Sequence, residues 1–207
     1  MDKFFKNDYK IRKDLTDFAN NNPVGKILKP FLKDTYKTVN KFFPFPRDFL
    51  IRKFPRNAIG CEIGVYGGDF TERIVRINPP QKIYLIDPWQ ALVGMADDKY
   101  NQAHQDKRYQ TVQNKFGNNP KIHIVRKSSD EAVSLFSDNF FDFIYIDGDH
   151  SYSQVKKDLE NYFPKVKKNG LLCGDDYHLS EVKKAVDEFV AEEKLSLQTR
   201  NNQFMIS

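Results

Sequence analysis

The chain is short of cysteine and tryptophan and has no long apolar run, and each shortage removes a class of protein. Among 207 residues there are 2 cysteines, 1 tryptophan and 4 histidines. Cys61 and Cys173 each lie inside an apolar, strand-like stretch. Two such residues cannot staple a disulfide scaffold, and they read as reduced, buried small side chains. No stretch approaches the ~20 apolar residues of a membrane span. The N-terminal MDKFFKNDYKIRKDL lacks the apolar centre of an export signal. These absences point to a cytoplasmic protein. There is no internal repeat and no low-complexity tract. What is plentiful is aromatic: 18 Phe and 10 Tyr in a chain that is 40% hydrophobic and 29% charged. That composition is globular, and the length suits one domain with an appendage.

Charge divides the chain. Residues 1–57 carry 14 Lys and Arg against 6 Asp and no Glu, a net of +8, and 9 of the 18 Phe. The remainder carries 19 basic against 22 acidic residues, a net of −3. The expected organisation is a basic, aromatic extension over 1–57 and a main domain over 58–207. Pro44, Pro46 and Pro55 exclude one continuous helix in the extension. One reading packs its Phe side chains on the main domain or on a second subunit while its Lys stay solvated. The other brings it to an anionic membrane surface as a peripheral contact. Basic aromatic stretches also occur in nucleic-acid binders, but no nucleic-acid partner is expected here.

From Ala58 strand and helix patterns alternate. AIGCEIG, QKIYLID, KIHIV, FDFIYID and NGLLCGDD read as five strands. Between them DFTERIVRI, a polar stretch from about Asp98 to Phe116, SDEAVSLF and SYSQVKKDLENYFPKV read as helices. SEVKKAVDEFVAEE follows as a helix capped by Ser180, and LSLQTRNNQFMIS as a hairpin about an Asn-rich turn. This alternation predicts an α/β fold: a doubly wound, mostly parallel sheet with right-handed crossovers.

In such a sheet, chemistry sits at the carboxyl ends of the strands, where the strand order reverses. The residues there are Glu62 and Gly64, then Asp87 with Trp89, then Ser128 and Ser129. After the fourth strand come Asp147, Asp149 and His150, and after the fifth Asp175, Asp176 and His178. Acids line one rim, and like charges so crowded repel unless a cation neutralises them. The first loop, EIGVYGGDF, lacks the second glycine of the dinucleotide fingerprint; Tyr66 stands where the backbone would approach a pyrophosphate. Glu62 would also sit badly beside a pyrophosphate. An acid followed by a turn through Gly64, Tyr66 and Gly67 suits a ligand with a cationic head, and Asp87 is placed for two ribose hydroxyls. Together they describe S-adenosylmethionine better than a nicotinamide dinucleotide.

CEIGVYGGDF, LIDPW, FDFIYIDGDHSY and GLLCGDDYH resemble the motifs of class I S-adenosylmethionine-dependent methyltransferases. They are most similar to the metal-dependent, macrocin O-methyltransferase-type branch, over about residues 58–180. The resemblance implies a seven-stranded Rossmann-like methyltransferase sheet. It also implies S-adenosylmethionine held near Glu62, Gly64, Tyr66, Gly67 and Asp87, with Ser128 and Ser129 toward the adenine. By its pattern Asp147, Asp175 and Asp176 would hold Mg2+ or Mn2+, and Asp149 or His150 would act as the base. The implied reaction is methylation of a hydroxyl on a saccharide or glycoside; a phenol or catechol acceptor differs only in what surrounds the site. A non-catalytic nucleoside-binding module is the rival from another class. Each residue also has an ordinary explanation: Asp147 as a helix cap, Asp175 or Asp176 as turn residues, Ser128 as a cap and Trp89 as packing. The polar stretch from Gln90 to Gln110 reads as a substrate lid or a solvated helix.

Overall fold

In the computed structural model, residues 47–91 and 101–207 are described. The first 46 residues and 92–100, which hold most of the expected extension and the centre of the expected lid, lie outside them. A compact unit runs from Phe49 to Ser207, so it begins ahead of the composition break at Asn57. The short helix α1 (Asp48–Ile51) precedes strand β1 (Ile59–Ile63), and α2 (Asp69–Ile77) leads to β2 (Lys82–Ile86). Helix α3 (Gln102–Phe116) is followed by β3 (Ile122–Val125) and the one-turn helix α4 (Ser129–Ala132). Then come β4 (Phe141–Ile146), α5 (Tyr152–Tyr162), β5 (Val166–Gly174), α6 (Ser180–Glu193), and the hairpin strands β6 (Leu197–Arg200) and β7 (Gln203–Ile206).

The strands form one sheet in the order β3-β2-β1-β4-β5-β7-β6. β1 to β5 pair in parallel, and β7 joins β5 and β6 antiparallel. The order reverses between β1 and β4, which is where a doubly wound sheet opens its crevice. Alternation along β4 sorts side chains between the two faces. Ile144 and Ile146 pack with Leu159, Val182, Val186 and Phe189 of α5 and α6. Phe143 and Tyr145 pack with Phe70, Ile74, Val112 and Phe116 of α2 and α3. Phe54, from the stretch before β1, stacks on Phe143 with ring centroids 3.9 Å apart. Nearly every β4 residue is therefore buried, as a central parallel strand requires. Among the described residues no helix is long and apolar enough to cross a membrane.

Two local expectations differ. Ser180 does not cap α6; it is the first helical residue, the cap position is Leu179, and no side chain bonds there. A Ser one position inside the helix has already taken helical backbone angles and lies past the place from which a cap reaches back. The Asn169-Gly170 pair is not a turn before the fifth strand but an irregularity within it. Phe141 pairs with Val166 and Phe143 with Leu171, so four residues of β5, Lys167 to Gly170, stand opposite the single Asp142 of β4. Bulges use glycine for the same reasons turns do. The hairpin forms about Asn201 and Asn202, both at positive φ, as a two-residue loop requires.

Candidate functional site

The rim built by β1 and β2 is tied down from within. Glu62, buried near the end of β1, accepts a 2.6 Å hydrogen bond from the Thr71 hydroxyl of α2. Gly64 has φ +85°, and a β-carbon there would lie 2.0 Å from the Asp147 carbonyl oxygen. Only glycine permits that backbone angle together with this approach, and the loop after β1 thereby rests directly on the loop after β4. Asp87 closes the turn. Its Oδ2 accepts from the amides of Val65 at 3.0 Å and Tyr66 at 2.9 Å, and its Oδ1 from the amide of Trp89 at 2.7 Å. Burial pushes the Asp87 carboxyl up from the usual range, against the pull of those three amides and of nearby Arg108. Trp89 is buried, and its indole N–H donates to the Tyr66 carbonyl at 2.9 Å. It packs rather than projecting.

Helix α3 grips the same loop from outside. The Arg108 guanidinium lies 4.0 Å from the Tyr66 ring centroid and donates to the Tyr66 hydroxyl at 2.7 Å. Lys115 donates to the Gly67 carbonyl at 3.0 Å and to Asp69 at 2.8 Å. Residues 108 and 115 are two turns apart, hence on one face. Beside them Val112 and Phe116 sit against Gly68, whose φ of +77° opens α2. Tyr66 is itself largely exposed at φ +54°, a conformation a non-glycine residue holds only when its surroundings enforce it.

The rim built by β4 and β5 gathers its groups about one point. The Asp147 amide donates to Ile63 of β1 and the Asp175 amide to Ile146 of β4, so the two loops leave the sheet side by side. His150 Nε2 lies 3.2 Å from an Asp176 carboxylate oxygen and 3.7 Å from one of Asp147. One potential ligand atom from each of Asp147, His150 and Asp176 falls within 4.8 Å of the others. The Asp147 hydrogen bond, with the charge of Asp176, holds the His150 pKa above its ordinary value. His178 approaches the other side of Asp176 at 3.6 Å. Asp149 is exposed, and its Oδ1 accepts from the Ser151 amide at 2.7 Å where α5 begins. Asp175 stands apart from the convergent three. It is buried, and its Oδ1 accepts from the Asp176 amide and from the side-chain amide of Gln203.

At the third loop Ser128 caps α4 in a reciprocal capping box with Glu131. Ser129 is buried and takes a hydrogen bond from Gln154 at 3.2 Å. Beneath it Asp158 is buried on α5, and desolvation raises its carboxyl to about 6. The spacing of the motifs did not single out Arg108, Lys115 or Gln203. Gln203 left one trace, a polar residue at the head of the apolar run Phe204-Met205-Ile206. Arg108 and Lys115 left none, since a basic residue on a polar helix is ordinary.

Comparison with known proteins bears on this arrangement. A family model described as a methyltransferase domain matches residues 61–177. An uncharacterized protein of Acanthamoeba polyphaga mimivirus is 30% identical over 138 residues, 63% of this chain and 58% of its own length. The chain thus spans less than two thirds of that relative. Among solved structures, a Staphylococcus aureus protein described as a caffeoyl-CoA O-methyltransferase is similar over 98% of this chain and 99% of its own, with TM-score 0.60 and 16% identity. The O-methyltransferase NovP is similar over 78% of this chain and 75% of its own, with TM-score 0.54 and 18% identity. The B. subtilis tRNA methyltransferase TrmK is similar over 79% and 64%, with TM-score 0.52 and 12% identity. These likenesses concern the fold, which serves acceptors as different as small molecules and RNA. The matched family model spans the rims of β1, β2, β4 and β5 together, and the chain, which has the fold of class I methyltransferases, belongs to the methyltransferase-domain family.

Proposed function

We propose that the protein is an O-methyltransferase that acts on a hydroxyl of a saccharide or glycoside and uses a divalent cation, Mg2+ or Mn2+. The observation that carries this reading is the convergence of Asp147, His150 and Asp176 at the sheet's switch point. A carboxylate pair with an imidazole is a donor set that suits Mn2+ well, and its oxygens alone suit Mg2+. The two O-methyltransferases among the similar folds support the reaction class.

S-adenosylmethionine supplies an electrophilic methyl group. The residues of the first rim fit it. The Asp87 carboxylate, held by three amides, would take the hydroxyls of a ribose diol on its remaining lone pairs, and the backbone at Gly67 is open, since a β-carbon there would meet no other atom within 4 Å. A cation held by Asp147 and Asp176, with His150 or Asp175 completing the set, would supply charge that lowers the acceptor's pKa. A saccharide hydroxyl is otherwise far too weak an acid to ionise near neutrality. Asp149 stands outside the gathered three, with one oxygen on the Ser151 amide. It is the group that takes the hydroxyl proton. His150, drawn toward two carboxylates, orients or joins them instead. A hard cation held by these side chains keeps coordination sites for substrate oxygens, so the acceptor proposed is a small molecule with a second oxygen near the reacting one. The likeness to a protein described as a caffeoyl-CoA O-methyltransferase favours a second reading, a phenol or catechol acceptor.

Acceptors screened with methyl-labelled S-adenosylmethionine, with Mg2+ or in excess chelator, test the proposal. Label is expected on a saccharide hydroxyl and only with the cation. Full turnover in chelator removes the cation from the reaction, and label on phenols alone selects the second reading.

A further inference from the structure

The C-terminal hairpin ends in a strand that points a polar side chain at the acidic rim of β4 and β5. Gln203 opens β7 and is 1% exposed. Its side-chain amide donates to Asp175 Oδ1, and its carbonyl oxygen accepts from the Tyr145 hydroxyl at 2.9 Å. Tyr145, fully buried, belongs to β4 and Gln203 to β7, with β5 between them. The orientation of the amide is dictated by chemistry. The NH2 donates to a carboxylate oxygen of Asp175 and the oxygen accepts from the Tyr145 hydroxyl, so each end of the amide meets a group of the complementary kind.

The chain of bonds continues into the rim. The oxygen of Asp175 that Gln203 meets also accepts from the Asp176 amide at 2.8 Å. Asp176 has φ +58°, a left-handed backbone that an aspartate keeps only where the surroundings over-determine it. That conformation turns its carboxylate toward His150 and the Asp147 side. The hairpin holds the same turn a second time, since the Tyr177 amide donates to the Asn202 carbonyl at 2.9 Å. A β-strand remote in sequence from both acid motifs thus grips the Asp175–Tyr177 turn from below.

We infer that Gln203, braced by Tyr145, is a positioning residue that orients Asp175 and through it holds Asp176 in the conformation that presents its carboxylate to a divalent cation. The inference rests on the cation reading of the β4–β5 rim. Gln203 fixes Asp175 Oδ1 beside the Asp176 amide and so reaches the cation through Asp175 and the Asp176 backbone; a group bonded directly to a ligand is worth ~10–100-fold in metal affinity, and one bond further out the low end of that range is expected. Gln203 touches no acceptor and moves no proton.

The test is Mn2+ binding to the full chain, followed by titration calorimetry and by the paramagnetic signal of free Mn2+, with S-adenosylmethionine affinity measured in parallel. Gln203→Met keeps the length and removes both hydrogen-bonding ends; it is expected to weaken Mn2+ by about tenfold. Its S-adenosylmethionine affinity should stay within about twofold, because the β1–β2 rim is untouched, and a merely structural role would lower both together. Tyr145→Phe removes only the brace and is expected to weaken Mn2+ by about threefold, a fraction of the outer-shell effect; it carries the test alone if Gln203→Met fails to fold. Wild-type Mn2+ affinity in the folded variants overturns the inference and leaves the cation reading standing. A wild-type protein that binds neither Mn2+ nor Mg2+ overturns both.

Discussion

The two acidic rims use the same residue types in opposite ways. At the ends of β1 and β2, Glu62 and Asp87 are satisfied by neutral donors of the fold: the Thr71 hydroxyl and the amides of Val65, Tyr66 and Trp89. At the ends of β4 and β5, Asp147 and Asp176 converge on a histidine and on each other. Neutral donors shape a carboxylate without neutralising it, so the first rim holds Glu62 and Asp87 in place without setting one against the other. Gathered carboxylates oppose one another, and a cation relieves that repulsion. The contact of Gly64 with the Asp147 carbonyl oxygen joins the two rims, so a methyl donor at one and an acceptor at the other would meet across a single glycine.

The largest expected effect breaks the second rim and spares the first. Asp147→Ala or Asp176→Ala should lower turnover by about a thousandfold, the several kcal/mol that charge stabilisation by a cation supplies. Asp149→Asn should cost about a hundredfold, the scale of a general base. S-adenosylmethionine affinity should hold in all three, measured by calorimetry. Loss of cofactor affinity along with turnover would show that the rims do not act separately.

Another buried acid lies at neither rim. Asp158 is buried with its carboxyl raised to about 6 from 3.8. The folded state therefore holds this proton more tightly than the unfolded chain. Its contribution is fully present below about pH 4 and is lost as pH rises through 6, about 3 kcal/mol in all. Asp158→Asn should remove that loss, raising stability at pH 7 by an amount that shrinks to nothing near pH 4. Denaturant unfolding at both pH values measures it. Equal effects at the two would place the cost elsewhere.

The smallest effect sharpens the first rim. Arg108→Ala removes a cation–π contact and a hydrogen bond from Tyr66 and should weaken S-adenosylmethionine by about tenfold. Lys115→Ala releases only the Gly67 carbonyl and an exposed ion pair, and should cost about threefold. Metal binding should not change in either. Calorimetry with both ligands separates the outcomes, and an unchanged cofactor affinity would mean the loop holds its shape without α3.

The sheet was legible because each strand announces itself locally: FDFIYID is a run of aromatic and β-branched residues and GLLCG a short apolar run, each bounded by turn residues. The acids at their ends were legible for the same reason, since a strand's last residue is a matter of position along the chain. Asp87 and Asp176 could be named from that position alone. Most of what Asp87 bonds to could not be named, because two of its three amide partners come from a loop more than twenty residues away.

By itself the sequence determined the alternation of strands and helices, the rim on which the acids fall and the absence of a pyrophosphate loop, all properties of period and order. Only the tertiary structure decided which acids face each other. It set Asp175 against Gln203 and left Asp176 facing His150, and it brought Arg108 and Lys115 onto the loop after β1. The reason is physical. Hydrogen bonds and charge pairs depend on distances of a few ångströms between residues far apart in the chain, and those distances exist only once the sheet has closed.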